Sequence, residues 1–202
     1  MKRKVLLCTG GIGSGKSYVV QALNALGVPS YDCDEAAKEL YDRDPALLAD
    51  VVAVCGPAVL DTDGRLDREA LAARIFPDAA LLAAVEALVH PAVIRDFQRW
   101  ADGLPVDVPL VVIESAILLE KPLPVRVYDS VLAVTAPESV RVARVMARSG
   151  MDEAQVRRRM AAQWSDEKRA SRADFIVEND GRKPVLPVLL NILERINEDG
   201  KN

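Results

Sequence analysis

Gly10-Gly11-Ile12-Gly13-Ser14-Gly15-Lys16-Ser17 constrains the fold of this chain more than any other stretch. It satisfies the pattern G-x-x-x-x-G-K-[ST]. The flanks also fit: Val5-Leu6-Leu7-Cys8 is a short apolar run that predicts a buried strand, and the residues from Tyr18 to Leu26 repeat apolar side chains at helical spacing before stopping at Gly27. Strand, glycine loop and helix in that order is the context the pattern needs. The glycines let the backbone curl so that successive N–H groups point inward, and the helix N-terminus adds partial positive charge. Such a loop is built for phosphate. Lys16 would reach the β- and γ-phosphates of a nucleotide, and the Ser17 hydroxyl would ligate Mg²⁺. A glycine-rich turn that binds nothing would not need Lys-Ser at this offset.

Further along the chain, short apolar runs alternate with helical patterns. Gly27 to Tyr31 is a brief extended segment ending at Asp32, and residues 35–55 read as helical. A turn follows at Asp61-Thr62-Asp63-Gly64-Arg65. One helix opens at Asp67-Arg68-Glu69, another runs from Asp78 to His90-Pro91, and Pro91 begins a further one over 91–101, since proline suits a first helical turn. Leu110–Ile113, Ser130–Thr135 and Phe175–Val177 are predicted strands. Ala136-Pro137-Glu138 starts a helix, residues 184–197 form a closing amphipathic helix, and Glu198 to Asn202 reads as a disordered tail. Strands alternating with helices predict a parallel sheet covered on both faces. The stretch from about 35 to 100 has no strand and reads as a helical insertion at the sheet edge.

Composition closes off several classes. A length of 202 residues supports one substantial core with a small subdomain, and the net charge of −4 gives no overall basic footprint for nucleic acid. Cys8, Cys33 and Cys55 make no C-x-x-C pair and leave an odd thiol, which points to a reducing, cytoplasmic compartment. Met1-Lys2-Arg3-Lys4 has the charge of a signal-peptide start, but only four apolar residues follow it. The longest apolar stretch, Ala79 to Val85, is too short to span a bilayer.

Residues 141–172 stand apart. Arg141, Arg144, Arg148, Arg157, Arg158, Arg159, Arg169 and Arg172, with Lys168, face four carboxylates, a local +5 in a chain of −4. Arg141, Arg144 and Arg148 share one helical face. Phosphoryl transfer needs charge neutralisation on three equatorial oxygens, so at least two of these arginines are expected on nucleotide phosphates; the plain alternative is a solvated face. Gly150, beside that face, is a candidate hinge.

Asp32-Cys33-Asp34 ends the second predicted strand, at the sheet edge where ligands bind in open α/β folds. A carboxylate there can take the proton of an attacking hydroxyl. In an extended strand end, 32 and 34 point the same way, which assigns Asp34 to catalysis and Asp32 to the site; the alternative is that one of them caps the next helix. Glu114, ending the third strand, either steers Mg²⁺ through water or caps a helix. His90 sits at a helix boundary, and Trp100 and Trp164 read as packing residues.

Taken together these elements resemble the dephospho-coenzyme A kinase family from Val5 to about Gly181. The resemblance rests on Thr9 through Ser17, on Asp32-Cys33-Asp34, on Gly64-Arg65-Leu66-Asp67-Arg68 followed by Leu71, and on His90-Pro91. It continues in Arg144 with Arg148, Ala162-Gln163, Lys168-Arg169, Ala173-Asp174 and Asn179-Asp180-Gly181. It implies a P-loop three-layer α/β/α fold with a five-stranded parallel sheet: a nucleotide core (1–34, 105–140, 173–202), a helical acceptor domain (35–104) and an arginine-rich helical lid (141–172). It implies transfer from MgATP to the ribose 3′-hydroxyl of dephospho-coenzyme A, by a cytoplasmic monomer or weak homo-oligomer with no nucleic-acid or membrane partner. By position, Asp34 would be the general base, with Lys16, Arg144 and Arg148 acting on the transferred group. Gly11, Gly13, Ser14, Gly15, Lys16, Ser17, Tyr18 and Asn179 would hold the nucleotide, Asn179 near the adenine. Asp32, Arg68 and His90 would face the acceptor, and Ser17 and Asp34 the metal.

Three positions depart from the family pattern. Tyr18 stands where Thr is usual, leaving a backbone N–H to serve. Lys38 stands where arginine is common and lacks the bidentate fork. Glu120 matches the family's glutamate after the third strand, so Glu114 is additional. Rival readings are another small-molecule kinase, for a nucleoside monophosphate or a sugar, and a guanine-nucleotide switch; the latter normally carries N-K-x-D, which this sequence lacks.

Overall fold

The computed structural model describes residues 3–120 and 126–198, so of the tail read as disordered only Glu198 lies within it. The chain divides into two compact units, one made of residues 1–31 and 105–202 and the other of residues 32–104.

In the first unit, β1 (Lys4–Thr9) leads through the glycine loop into α1 (Lys16–Ala25) and on to β2 (Ser30–Asp32), at whose end the unit gives way to the second. After the second unit come β3 (Leu110–Glu114), β4 (Ser130–Thr135), α6 (Glu138–Ser149), α7 (Glu153–Ala161), α8 (Asp166–Ala170), β5 (Phe175–Glu178) and α9 (Leu186–Glu198). The five-stranded sheet has the order β2-β3-β1-β4-β5. β1 runs parallel to β3, with Cys8 opposite Glu114, and parallel to β4, with Cys8 opposite Leu132. β5 joins β4 in the same sense. All of β3 and the last four residues of β1 are buried, as expected of central parallel strands covered on both faces. On one face Leu6, Cys8, Val112, Leu132 and Val134 pack with Val19 and Leu23 of α1 and Leu189, Ile192 and Ile196 of α9. A second, smaller core joins Val142 and Val145 of α6 to Val156 of α7, with Ile12, Met151 and Met160 against it.

The second unit is helical, as the strandless stretch predicts. It contains α2 (Cys33–Arg43), α3 (Pro45–Cys55), α4 (Arg68–Ile75) and α5 (Ala79–Asp102). Each begins on an aspartate whose carboxylate accepts from two backbone N–H groups: Asp32, Asp44, Asp67 and Asp78. Such caps are worth about 1 kcal/mol each. The region read as helical over 35–55 is therefore two helices. Pro45 disfavours helical geometry at Asp44 and fits the first turn of α3.

Pro91 overturns the expected boundary at 90–91: it lies inside one continuous helix. Proline in a helix costs about 3 kcal/mol or more. The same helix buries Val85, Val89, Ala92, Val93 and Phe97, and at about 1.5–3 kcal/mol per large side chain that burial outweighs the lost bond.

Candidate active site

The glycine loop sits where β1 ends, and the register of the sheet brings β3 alongside it. Glu114 lies opposite Cys8, and its buried Oε1 accepts from the Ser17 hydroxyl at 3.0 Å. Toward Ser17 the Glu114 carboxylate accepts from a side-chain hydroxyl and not from a backbone N–H, so this contact is not a helix cap. The Cys8 thiol, fully buried here, is pushed up to about 12, chiefly by desolvation and further by the Glu114 charge, with Lys16 opposing.

The loop itself is closed by Ser14 N–H donating to Gly11 O at 3.1 Å, and Lys16 Nζ donates to Gly10 O at 3.0 Å. α1 starts at Gly15 without a side-chain cap and without an acidic residue in its first turn. Its leading N–H groups thus carry no side-chain cap, and they and Lys16 put positive charge at the loop where an anion would bind. Gly15 has φ +88°, and a Cβ there would run into Nδ2 of Asn179. Gly13 has φ +79° with the backbone oxygen of Arg141 2.5 Å from where its Cβ would be. Glycine at both places is a packing requirement as well as a conformational one.

The wall opposite Glu114 comes from β5 and α6. Asn179, just past β5, donates its own N–H to Thr135 O at 2.7 Å and Nδ2 to Ser14 O at 3.0 Å. Its side chain is thus a strut under the loop. Arg144 donates to the carbonyls of Asn179, Ser14 and Gly13 at 3.0, 3.3 and 3.5 Å.

The arginine cluster is divided by the fold. Arg141 is 6% exposed, pairs with Asp166 at 3.0 Å and donates Nε to Ile12 O. Arg169 is fully buried, paired with Glu120 and near Asp166 at 3.5 Å. Glu120 also accepts from Trp164 N–H. Neither the shared face of 141, 144 and 148 nor the charge count separates these roles, because the partner carboxylates, Glu120 and Asp166, lie off the α6 helix; Arg148, one turn beyond Arg144, is exposed. Gln163, whose Oε1 accepts from Ile12 N–H at 2.8 Å, carries a loop contact that the sequence marks only through the family resemblance. Tyr18 is exposed on α1, and Lys168 Nζ stacks 3.9 Å over the Trp164 ring.

In the second unit, Asp32 caps α2 by accepting from Asp34 N and Glu35 N at 2.8 and 3.1 Å. The strand stops at Asp32, so the alternation expected to carry 32 and 34 to one side does not extend to Asp34, which stands in the first helical turn. The capping alternative falls to Asp32, and the Asp34 carboxylate is exposed. Arg68 donates to Lys38 O and pairs with Asp42 at 3.3 Å. His90 is half-buried in the middle of α5. Lys38 pairs with Glu35 at 2.8 Å, and that contact lowers the carboxyl and raises the amine. No group of three or more His, Cys, Asp or Glu suited to a metal occurs among the described residues, and none of their helices is long and apolar enough to cross a membrane.

A parallel sheet with β1 at its centre, and a glycine loop feeding an uncapped α1 beside a buried carboxylate, define a P-loop kinase. Residues 5–184 match the dephospho-CoA kinase family model. The chain belongs to that family. It is 35% identical to a dephospho-CoA kinase of Bacteroides fragilis strain YCH46, covering 92% of this chain and 89% of the relative. The identity is 40% with that of Thermobifida fusca, over 88% of each. Among solved structures, a Thermus thermophilus protein superposes with a TM-score of 0.84 at 36% identity, covering 96% of this chain and 98% of that one. The dephospho-CoA kinase of Campylobacter jejuni, at 19% identity, shares the fold with a TM-score of 0.69, covering 98% and 100%.

Proposed function

We propose that this chain carries out the ATP-dependent phosphorylation of dephospho-coenzyme A, the closing step of coenzyme A synthesis, and that its own residues divide the work as follows. Family membership gives the kinase reaction. The contact of Ser17 with Glu114 at the loop is the observation that ties it to particular side chains.

The triphosphate would lie along Gly11, Gly13, Ser14 and Gly15, with backbone N–H groups and Lys16 carrying its charge and the N–H of Tyr18 completing the cradle. Ser17 and Glu114 are two hard oxygen donors in contact, a set suited to Mg²⁺, which keeps waters and phosphate oxygens as its other ligands. Bound there, Mg²⁺ would neutralise charge on the β- and γ-phosphates. Glu120, committed to Arg169, is no part of that donor set.

Arg144, already anchored to three carbonyls of the loop and of Asn179, would brace the phosphates from the α6 side, and exposed Arg148 would act from one turn away. Asn179 supports the loop from below and borders the nucleoside. Asp34 is the proposed general base: it would hold the ribose 3′-hydroxyl of the acceptor by hydrogen bond and take its proton as the oxygen attacks phosphorus, leaving ADP. Residues 35–104, with Arg68 and His90, would bind the acceptor, and residues 141–172 would act as the lid that excludes water. Asp32 contributes by fixing the start of α2, and with it the position of Asp34.

The test is incubation of the purified protein with MgATP and dephospho-coenzyme A, followed by product mass and ADP release. A gain of one phosphoryl group on the acceptor is expected; ATP binding without transfer would overturn the acceptor assignment. Asp34→Asn should lower kcat roughly 10²–10⁴-fold, the usual worth of a general base, with ATP affinity unchanged. A kcat within a few-fold of the parent removes Asp34 from the chemistry.

A further inference from the structure

Ile12 is the residue of the glycine loop whose main chain is held in both directions by side chains. Its carbonyl accepts from Arg141 Nε at 3.0 Å and its N–H donates to Gln163 Oε1 at 2.8 Å. Its own side chain packs on the small core of Val142, Val145 and Val156. Arg141 has no spare reach, because its other end pairs with Asp166 at 3.0 Å and it is almost wholly buried.

The turn between α7 and α8, which supplies Gln163, and the start of α8, which supplies Asp166, are themselves fixed. Arg169 donates NH1 to Trp164 O at 2.5 Å and NH2 to Glu120, and Glu120 accepts from Trp164 N–H at 3.2 Å. Two buried arginines and two carboxylates make this network neutral, so Arg141 adds shape to the loop, not field. Three of the first four loop residues are glycines. Each would otherwise be costly to order on ligand binding, because glycine has the most backbone freedom to lose.

We infer that Gln163, Asp166 and Arg141 form a clamp on Ile12 that holds the first half of the loop in its phosphate-binding shape, with Asp166 a positioning residue acting through Arg141. The clamp rests on the ATP-site reading above. It makes the loop pre-organised, so nucleotide affinity is not reduced by the fraction of molecules with a misshapen loop. It also accounts for two of the nitrogens of an arginine that looks phosphate-directed in the sequence: Nε is held by Ile12 O and Nη1 by Asp166.

Arg141→Lys tests this at constant charge, since one ammonium cannot serve both Ile12 O and Asp166. Steady-state kinetics in MgATP and in dephospho-coenzyme A would be measured with the parent as control. The expected result is a rise of roughly five- to twentyfold in KM for ATP, as for one or two lost hydrogen bonds. kcat and KM for the acceptor stay within about threefold, the pattern of lost ground-state binding. Gln163→Ala, which removes only the bond to Ile12 N–H, should move KM for ATP the same way and serves if Arg141→Lys fails to fold. Combining Arg141→Lys with Asp166→Asn should do no more than the worse single change, because both break one link. KM for ATP within twofold of the parent in a folded variant, or an equal rise in both KM values, overturns the clamp. An inactive parent would instead count against the reaction assigned above.

Discussion

Gly15→Ala isolates what the strut under the loop contributes, provided Gly27→Ala is made beside it. Both glycines have left-handed backbone, φ +88° and φ +84°. An alanine in that region costs about 1–2 kcal/mol, partly offset by about 0.4–1 kcal/mol from a stiffer unfolded chain. Nothing lies within 4 Å of a Cβ at Gly27, so that variant reports the backbone cost alone. At Gly15 the new methyl would meet Asn179 Nδ2, which now donates to Ser14 O at 3.0 Å. Asn179 is buried, so displacing its amide leaves a buried donor unpaired and Ser14 O with Arg144 alone, at about 1–3 kcal/mol more. The difference between the two variants should therefore be about 1–3 kcal/mol, or roughly 2–12 °C in melting temperature at 2–4 °C per kcal/mol for a chain of this size. Thermal unfolding by circular dichroism measures it. Adding Asn179→Ala to Gly15→Ala should then cost little, since the bond is already gone. Equal melting temperatures for Gly15→Ala and Gly27→Ala would refute the strut, showing that the loop yields to the methyl at no cost.

Three further outcomes are expected. Glu120→Gln leaves buried Arg169 with Asp166 at 3.5 Å as its remaining carboxylate among the described residues; breaking such a pair costs about 3–5 kcal/mol, so a melting temperature within a degree of the parent would remove the pair from the stability of the turn. Asp32→Ala should cost about 1 kcal/mol as a lost cap while reducing kcat far less than Asp34→Asn; equal losses of kcat would return Asp32 to the chemistry. The Cys8 thiol, raised to about 12, stays protonated at pH 8, so a thiol reagent should label it only on unfolding. Peptide mapping that finds Cys8 modified at the denatured rate in the native protein would contradict its burial.

The sheet and the loop were legible because their signals are local. Apolar runs at 5–8, 110–113 and 130–135 mark strands without reference to anything distant, and the Lys16-Ser17 offset needs only its own flanks. Glu114 was legible by position, as the residue ending a strand, but its contact with Ser17 depended on the β1–β3 register. The Asp32–Asp34 pair misled because extended geometry was carried two residues too far: a carboxylate that can cap two N–H groups starts a helix on the spot. Pro91 misled for the opposite reason, since a local preference lost to the packing of a long helix. The arginine-rich stretch gave a correct concentration of charge and no means of dividing it. Which arginines pair with carboxylates was decided by Glu120 and Asp166, and no periodicity links Glu120 to residue 169.

The hydrogen bonds that shape the glycine loop span long distances along the chain: 129 residues from Ile12 to Arg141, 151 from Ile12 to Gln163, and 165 from Ser14 to Asn179. β1 likewise sits between strands that follow it by a hundred residues and more. On the ribosome the loop leaves the exit tunnel early, yet its walls exist only after α8 and β5 have been made. Such non-local closure is slow, because chain entropy is lost before the contacts that reward it form. The nascent N-terminal segment therefore waits as an incomplete nucleotide site while the second unit, whose capped helices need only near neighbours, is free to form first. The glycine loop, made well before its walls, is thus among the last parts of this chain to take its working shape.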